Sequence, residues 1–314
     1  MSPLPNENAA YYWRTTWSLD STELDFLSRH NITKLYCRFF DVVMADDSLP
    51  MPNATIRFPD DWSAGVSLAD MGDSANGATE GDAAERLPEG MELVPTVYIT
   101  EDCMHTPAAT LPAASPSEKA TVPAGFPAGE ALPAKLVNRI LQIAETHSLP
   151  PIHEIQIDCD YTLRSRKTYY DFLNQVRSEA ARHSLRLSTT IRLHQLSMPA
   201  PPADYGVLMV YNTGDPRKFA ERNPILDIRD VQPYMRYLPD YPLPLAAAYP
   251  VYSWQRYIAG VRVEHTVDST EITSVKHLVE KTRPDIANTI ITYHLDKENI
   301  KRYNYETYCE IYRH

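Results

Sequence analysis

The sequence predicts a single (β/α)8 TIM barrel, and three observations point there. Eight short segments rich in β-branched and aromatic residues recur along the chain, at 11–17, 32–43, 93–100, 154–161, 186–196, 206–212, 243–254 and 289–296. Helical patterns lie between most of them. Strand alternating with helix means parallel strands joined by crossovers, and eight such units in 314 residues suit a closed barrel better than an open sheet. The third observation is a lack. An open sheet that binds nucleotides needs a glycine-rich turn, yet the chain has 10 glycines and neither G-x-G-x-x-G nor a P-loop.

The helices follow in order. Residues 22–29 look like a helix start with Ser21 or Thr22 as cap. Residues 134–147 place Leu136, Val137, Ile140, Leu141 and Ala144 on one face, and 167–183 do so with Tyr170, Leu173, Val176 and Ala180. A broken helical region spans 219–237, and 271–281 and 299–313 complete the set. Tyr303, Tyr305, Tyr308 and Tyr312 have helical spacing, which predicts packing of the last helix on the barrel. Residues 59–90 and 105–133 break the rhythm as long loops after strands 2 and 3, at the C-terminal mouth. The expected organisation is one domain over 1–314 with an insertion at 59–90.

A net charge of −11 leaves no basic stripe for phosphates, which argues against nucleic-acid binding. No apolar run reaches the ~20 residues of a membrane span. The four cysteines (Cys37, Cys103, Cys159, Cys309) form no C-x-x-C pair and no zinc spacing. No cofactor is expected, and the expected partner is a carbohydrate or other small polar substrate. Residues 1–10 are polar and unlike a secretory leader. Cytoplasmic and exported (periplasmic or lipoprotein) placements both stay open.

Alternation turns the interior polar. In the fourth segment Ile155, Ile157 and Cys159 form one face, and Gln156, Asp158 and Asp160 the other. In the fifth, Leu187, Ile191 and Leu193 alternate with Ser188, Thr190, Arg192 and His194. In the second, Leu35, Cys37 and Phe39 alternate with Tyr36, Arg38 and Phe40, and in the first Arg14 sits between Trp13 and Thr15. Buried charges must be paired. This predicts a cluster of Asp158, Asp160, Arg14, Arg38, Arg192 and His194, either as a lumen-filling ion-pair network or as a site at the C-terminal ends of the strands. Metal use by Asp158, Asp160 and His194, or by Glu101, Asp102 and His105, is the weaker alternative, since neither spacing fits a metal signature.

The residues His153-Glu154-Ile155-Gln156-Ile157-Asp158-Cys159-Asp160 resemble the D-G-x-D-x-D-x-E strand of glycoside hydrolase family 18, the chitinase-like barrels. Met209-Val210-Tyr211-Asn212 resembles that family's M-x-Y-D strand, and Tyr249-Pro250-Val251-Tyr252-Ser253-Trp254 is similar in flavour. Nearly the full chain, apart from 59–90, also resembles a bacterial family of unknown function described as glycoside hydrolase-like barrels, on 154–160 and 190–196.

The resemblance implies Asp160 as general acid, Asp158 as the acid orienting an N-acetyl group, and Tyr211 as the tyrosine holding that group. A leaving glycosidic oxygen needs a proton, so one carboxyl must keep its own near neutral pH. Tyr98, Trp254 and Tyr293 offer flat faces to a sugar, while Arg14, Arg38 and Arg192 suit an anionic one. His194 and Asn212 complete the candidate substrate contacts. His153, Glu154 and Gln156 depart from the motif, Asp160 is one methylene shorter than its Glu, and Asn212 replaces Asp. A glycoside hydrolase and a non-catalytic carbohydrate-binding or scaffold barrel both stay open.

Overall fold

The computed structural model describes residues 3–45, 49–59, 63–66, 86–105, 131–215, 222–258 and 261–314. Most of the two expected mouth loops, at 59–90 and 105–133, lies outside these residues. Eight strands form the barrel: β1 (Glu7–Tyr12), β2 (Ile32–Met44), β3 (Glu92–Ile99), β4 (Glu154–Asp158), β5 (Arg186–Arg192), β6 (Tyr205–Met209), β7 (Leu245–Pro250) and β8 (Thr289–Tyr293). Each pairs in parallel with its neighbours, and β1 closes the ring by pairing with both β2 and β8. This is a closed TIM barrel with helices between strands.

Two segments shift from their expected places. The first strand starts at Glu7, earlier than expected, because small Ala9 and Ala10 carry its buried middle without a β-branched signature. Arg14 therefore falls beyond the strand. The seventh strand ends at Pro250. Trp254 belongs instead to an antiparallel hairpin of Ser253–Ile258 with Val261–Thr266, opposite His265.

The helices are α1 (Ser21–Arg29), α2 (Leu132–Thr146), α3 (Arg166–Arg182), α4 (Ile228–Val231), α5 (Ser269–Thr282), α6 (Lys297–Ile300) and α7 (Tyr305–Ile311). Asp20, rather than Ser21 or Thr22, caps α1. Its side chain accepts from Glu23 N and Glu23 Oε2 accepts from Asp20 N, both at 2.9 Å, a reciprocal capping box. Helix α2 buries Leu136, Val137 and Ile140, and α3 buries Phe172, Leu173 and Val176. Each such side chain contributes about 1.5–3 kcal/mol by leaving water. The helix expected over 299–313 is split into α6 and α7, where Tyr308 and Tyr312 are buried but Tyr305 is 52% exposed. Gly206 lets β5 and β6 approach, since a Cβ there would meet Ile191 Cγ1 at 2.8 Å.

The lumen is polar and bonded across its width. At mid-height Tyr11 Oη on β1 donates to Gln156 Oε1 on β4 at 2.8 Å. Below it Ser188 Oγ donates to Glu154 Oε1 at 2.7 Å, Tyr205 Oη donates to the same oxygen, and the Tyr36 and Tyr205 hydroxyls meet at 2.6 Å. At the N-terminal end Lys34 pairs with Glu7 at 2.8 Å and Glu92 at 3.3 Å.

Candidate active site

The acids stand where β4 ends. Asp158 is its last residue and is 3% exposed. Thr190 Oγ1 on β5 donates to Asp158 Oδ1 at 2.6 Å. Two residues further on β5, Arg192 Nη2 lies 3.4 Å from the same oxygen. Arg192 Nε pairs with Asp160 Oδ1, so one guanidinium bridges both acids. Its Nη1 faces the Met209 sulfur rather than an oxygen. Asp160 differs from Asp158 in one respect that matters: its side chain is 52% exposed.

Burial pushes the Asp158 carboxyl above the ordinary carboxylate range, against Arg192, which favours its charged form. Asp160 pushes it further up and the Thr190 hydroxyl opposes. Burial alone would lower the Arg192 guanidinium, but Asp158 and Asp160 hold it above its usual value. Gln195, fully buried, ties the two strand ends together. Its Oε1 accepts from Arg192 N at 2.7 Å and its Nε2 donates to Tyr161 O at 3.0 Å.

A cavity of about 220 Å³ opens at this point, edged by Asp160, Arg192, His194, Tyr211, Asn212 and Tyr234. Tyr211 stacks on Tyr293 at 4.7 Å, and Tyr252 meets both edge-on. The Tyr211 hydroxyl is buried and has no hydrogen-bond partner among the described residues. A buried hydroxyl left unpaired costs free energy, which a hydrogen bond to a polar ligand recovers. Asn212 adopts φ +53, a left-handed conformation that asparagine tolerates, and its Oδ1 accepts from Tyr252 Oη. His194 is exposed on the rim, and burial of part of its ring lowers its pKa. Tyr98, half-buried beside both acids, is pushed up to about 12, first by burial and then by Asp160 and Asp158.

The structure thus brings together Asp158, Asp160, Tyr98, Arg192, His194, Tyr211, Asn212 and Tyr293. It does not bring Arg14 or Arg38 to the acids. Arg14 Nη2 bonds Glu23 Oε1 at 2.9 Å and Ser18 O at 2.7 Å, a consequence of its position beyond β1. Arg38 is held by Asp41 through two bonds, one of them Nε to Oδ1 at 2.8 Å. Trp254, on the hairpin, does not line the cavity. Alternation missed Asp41 because β2 carries a bulge between Arg38 and Phe40. The extra residue puts Asp41, rather than Phe40, opposite Tyr98 on the lumen side. Tyr234 and Gln195 carried no periodic signal; the 3-10 turns that hold them place them. Among the described residues no group of three or more His, Cys, Asp or Glu is arranged to hold a metal ion.

Comparison with solved structures bears on the fold. A chitinase from Chromobacterium violaceum superposes with a TM-score of 0.56 at 12% identity, over 98% of this chain and 98% of that one. The chain has the fold of chitinase-like barrels. A class V chitinase from Pseudomonas fluorescens gives 0.53 at 12% identity, over 99% and 98% of the two chains. The spore cortex-lytic enzyme SleL of Bacillus cereus gives 0.50 at 15%, over 99% of this chain and 75% of that one. No family model and no curated protein matches the chain.

Proposed function

We propose that the chain is a carbohydrate-active hydrolase in which Asp160 protonates the leaving glycosidic oxygen and Asp158 is its partner. The observation that carries this reading is Asp160 itself. Its half-exposed carboxyl edges the same mouth cavity as Tyr211, whose buried hydroxyl has no hydrogen-bond partner among the described residues. Active sites of TIM barrels sit at this end, and the fold neighbours are chitinases and a cortex-lytic enzyme. In the reaction the proton passes from Asp160 to the leaving oxygen as the bond to the anomeric carbon breaks, and water completes hydrolysis. Asp160 must first leave the Arg192 guanidinium and take up a proton from solvent, and the water that adds to the anomeric carbon gives back a proton as the new hydroxyl forms. Tyr211 and Asn212 supply polar contacts, and the Tyr293 and Tyr252 rings shape the wall. The domain reading is one barrel over 1–314 with residues 59–90 inserted.

A second reading, a non-catalytic carbohydrate-binding barrel, is favoured by Arg192, which pairs with both acids. Wild-type protein and Asp160→Asn are to be incubated with a glycan panel and the reducing ends counted. Product from wild type alone supports the hydrolase. Equal product from both removes Asp160 as the acid, and binding without product from wild type selects the second reading.

A further inference from the structure

The three arginines that the sequence offers to an anionic sugar are all engaged by acids of the chain itself. A fourth, Arg164, is not. Its guanidinium makes no ion pair or hydrogen bond among the described residues, and it lines a second cavity of about 480 Å³. His194 lines both cavities, so this one adjoins the acid site.

The turn that carries Arg164 is tied down by hydrogen bonds. Thr162 Oγ1 and Ser165 Oγ both donate to Glu101 Oε1, at 2.5 and 2.7 Å. Thr162 N donates to Ser165 Oγ at 2.9 Å, and Arg164 N to Thr162 Oγ1 at 3.2 Å. Ser165 is buried, whereas its neighbour Leu163 is 69% exposed. The turn therefore fixes a bare leucine beside an unpaired cation, with Met198 across the same cavity. The titratable groups facing it are Glu101, His105 and His194, and the one acid among them already serves two hydroxyls. The tied backbone limits the ordering cost of binding to the Arg164 and Leu163 side chains. The pair matches a ligand with an apolar face and a carboxylate, as the carbon-hydrogen face and acid group of an acidic sugar ring provide.

We propose that this second cavity is a subsite for a carboxylate-bearing sugar of the glycan, with Arg164 as its charge partner and Leu163 and Met198 as its apolar floor. The proposal rests on the carbohydrate reading of the adjoining site, but not on catalysis there.

The test is binding of the full chain to a glycan array on which each acidic glycan is printed beside its own methyl ester. The acids are expected to bind about fivefold more tightly than their esters, as one partly screened ion pair allows. Arg164→Gln is expected to erase that difference while leaving ester binding unchanged, and Leu163→Ser to weaken acid and ester alike. Both side chains are exposed, so both variants keep the fold, which circular dichroism checks. Equal binding of acids and esters, a preference that survives Arg164→Gln, or no binding to any printed glycan overturns the subsite. Loss of hydrolysis in Asp160→Asn, with the acid preference intact, bears on the hydrolase reading alone.

Discussion

Two polar clusters share one lumen, and the same three strands feed both. At the lower end β4, β5 and β6 contribute Glu154, Ser188 and Tyr205. At the mouth they contribute Asp158, the pair Thr190 and Arg192, and Tyr211 just past β6. Both hold a buried acid that burial pushes above the ordinary carboxylate range. The lower cluster is sealed, with Glu154 1% exposed and Lys34 the cation that offsets its burial. The upper one opens onto a cavity through Asp160. A shifted acid is therefore no signature of function by itself, because structural networks shift pKa values as well. What separates the two is access: Asp160 is half-exposed at a cavity, whereas Glu154 is closed off from water.

Substitutions at matched positions sharpen that contrast, beginning with the largest effect. Asp160→Asn is expected to lower glycan turnover by about 10²–10⁴-fold, the usual contribution of a general acid, with a stability loss below about 1 kcal/mol, because the pair lost is half-exposed and Asp158 still faces Arg192. Comparable initial rates for variant and wild type would erase the functional side of the comparison. Arg192→Leu leaves Asp158 buried without its cation and is expected to cost about 3–5 kcal/mol in urea unfolding. Glu154→Leu leaves the Ser188 and Tyr205 hydroxyls without their acceptor, at about 2–3 kcal/mol, and should leave glycan binding unchanged. Weaker glycan binding in this variant would mean that the two clusters are coupled.

A pH series separates the acids further. The folded state holds the Glu154 and Asp158 protons more tightly than the unfolded chain does. Unfolding free energy must then fall as pH rises from the ordinary carboxylate range through the raised folded values. Glu154→Gln removes its share of that fall, at most about 1.4 kcal/mol per pH unit. An unchanged slope in this variant would mean that Glu154 is ionised throughout. The smallest expected effect is Tyr211→Phe. Deleting a hydroxyl with no partner should move stability by less than about 0.5 kcal/mol while weakening ligand binding. A larger stability loss would place Tyr211 with the sealed network.

Much of this was legible in the residues. Most of the eight strands follow from β-branched and aromatic runs, the alanine-rich first and seventh less so, and the inward set Gln156 and Asp158 follows from a period of two, because a pleated backbone leaves each side chain only two faces. The nearness of Arg192 to the acids follows likewise, since β4 and β5 are adjacent and in register. The partners of Arg14 and Arg38 were not legible. Arg14 left the barrel when β1 began earlier, and a single bulged residue in β2 exchanged Phe40 for Asp41. A bulge is a matter of pairing between strands and leaves no trace in either one alone.

The sequence by itself determined the barrel, the strand that ends in Asp158 with Asp160 two residues beyond it, and the end of the barrel where they lie. These depend on local periodicity and on the handed crossovers that periodicity imposes. Only the tertiary structure decided which arginine meets which acid, that Asp160 is open while Asp158 is closed, and that Arg164 has no partner among the described residues beside Leu163. Those outcomes depend on where side chains from distant segments meet and on how much water each retains.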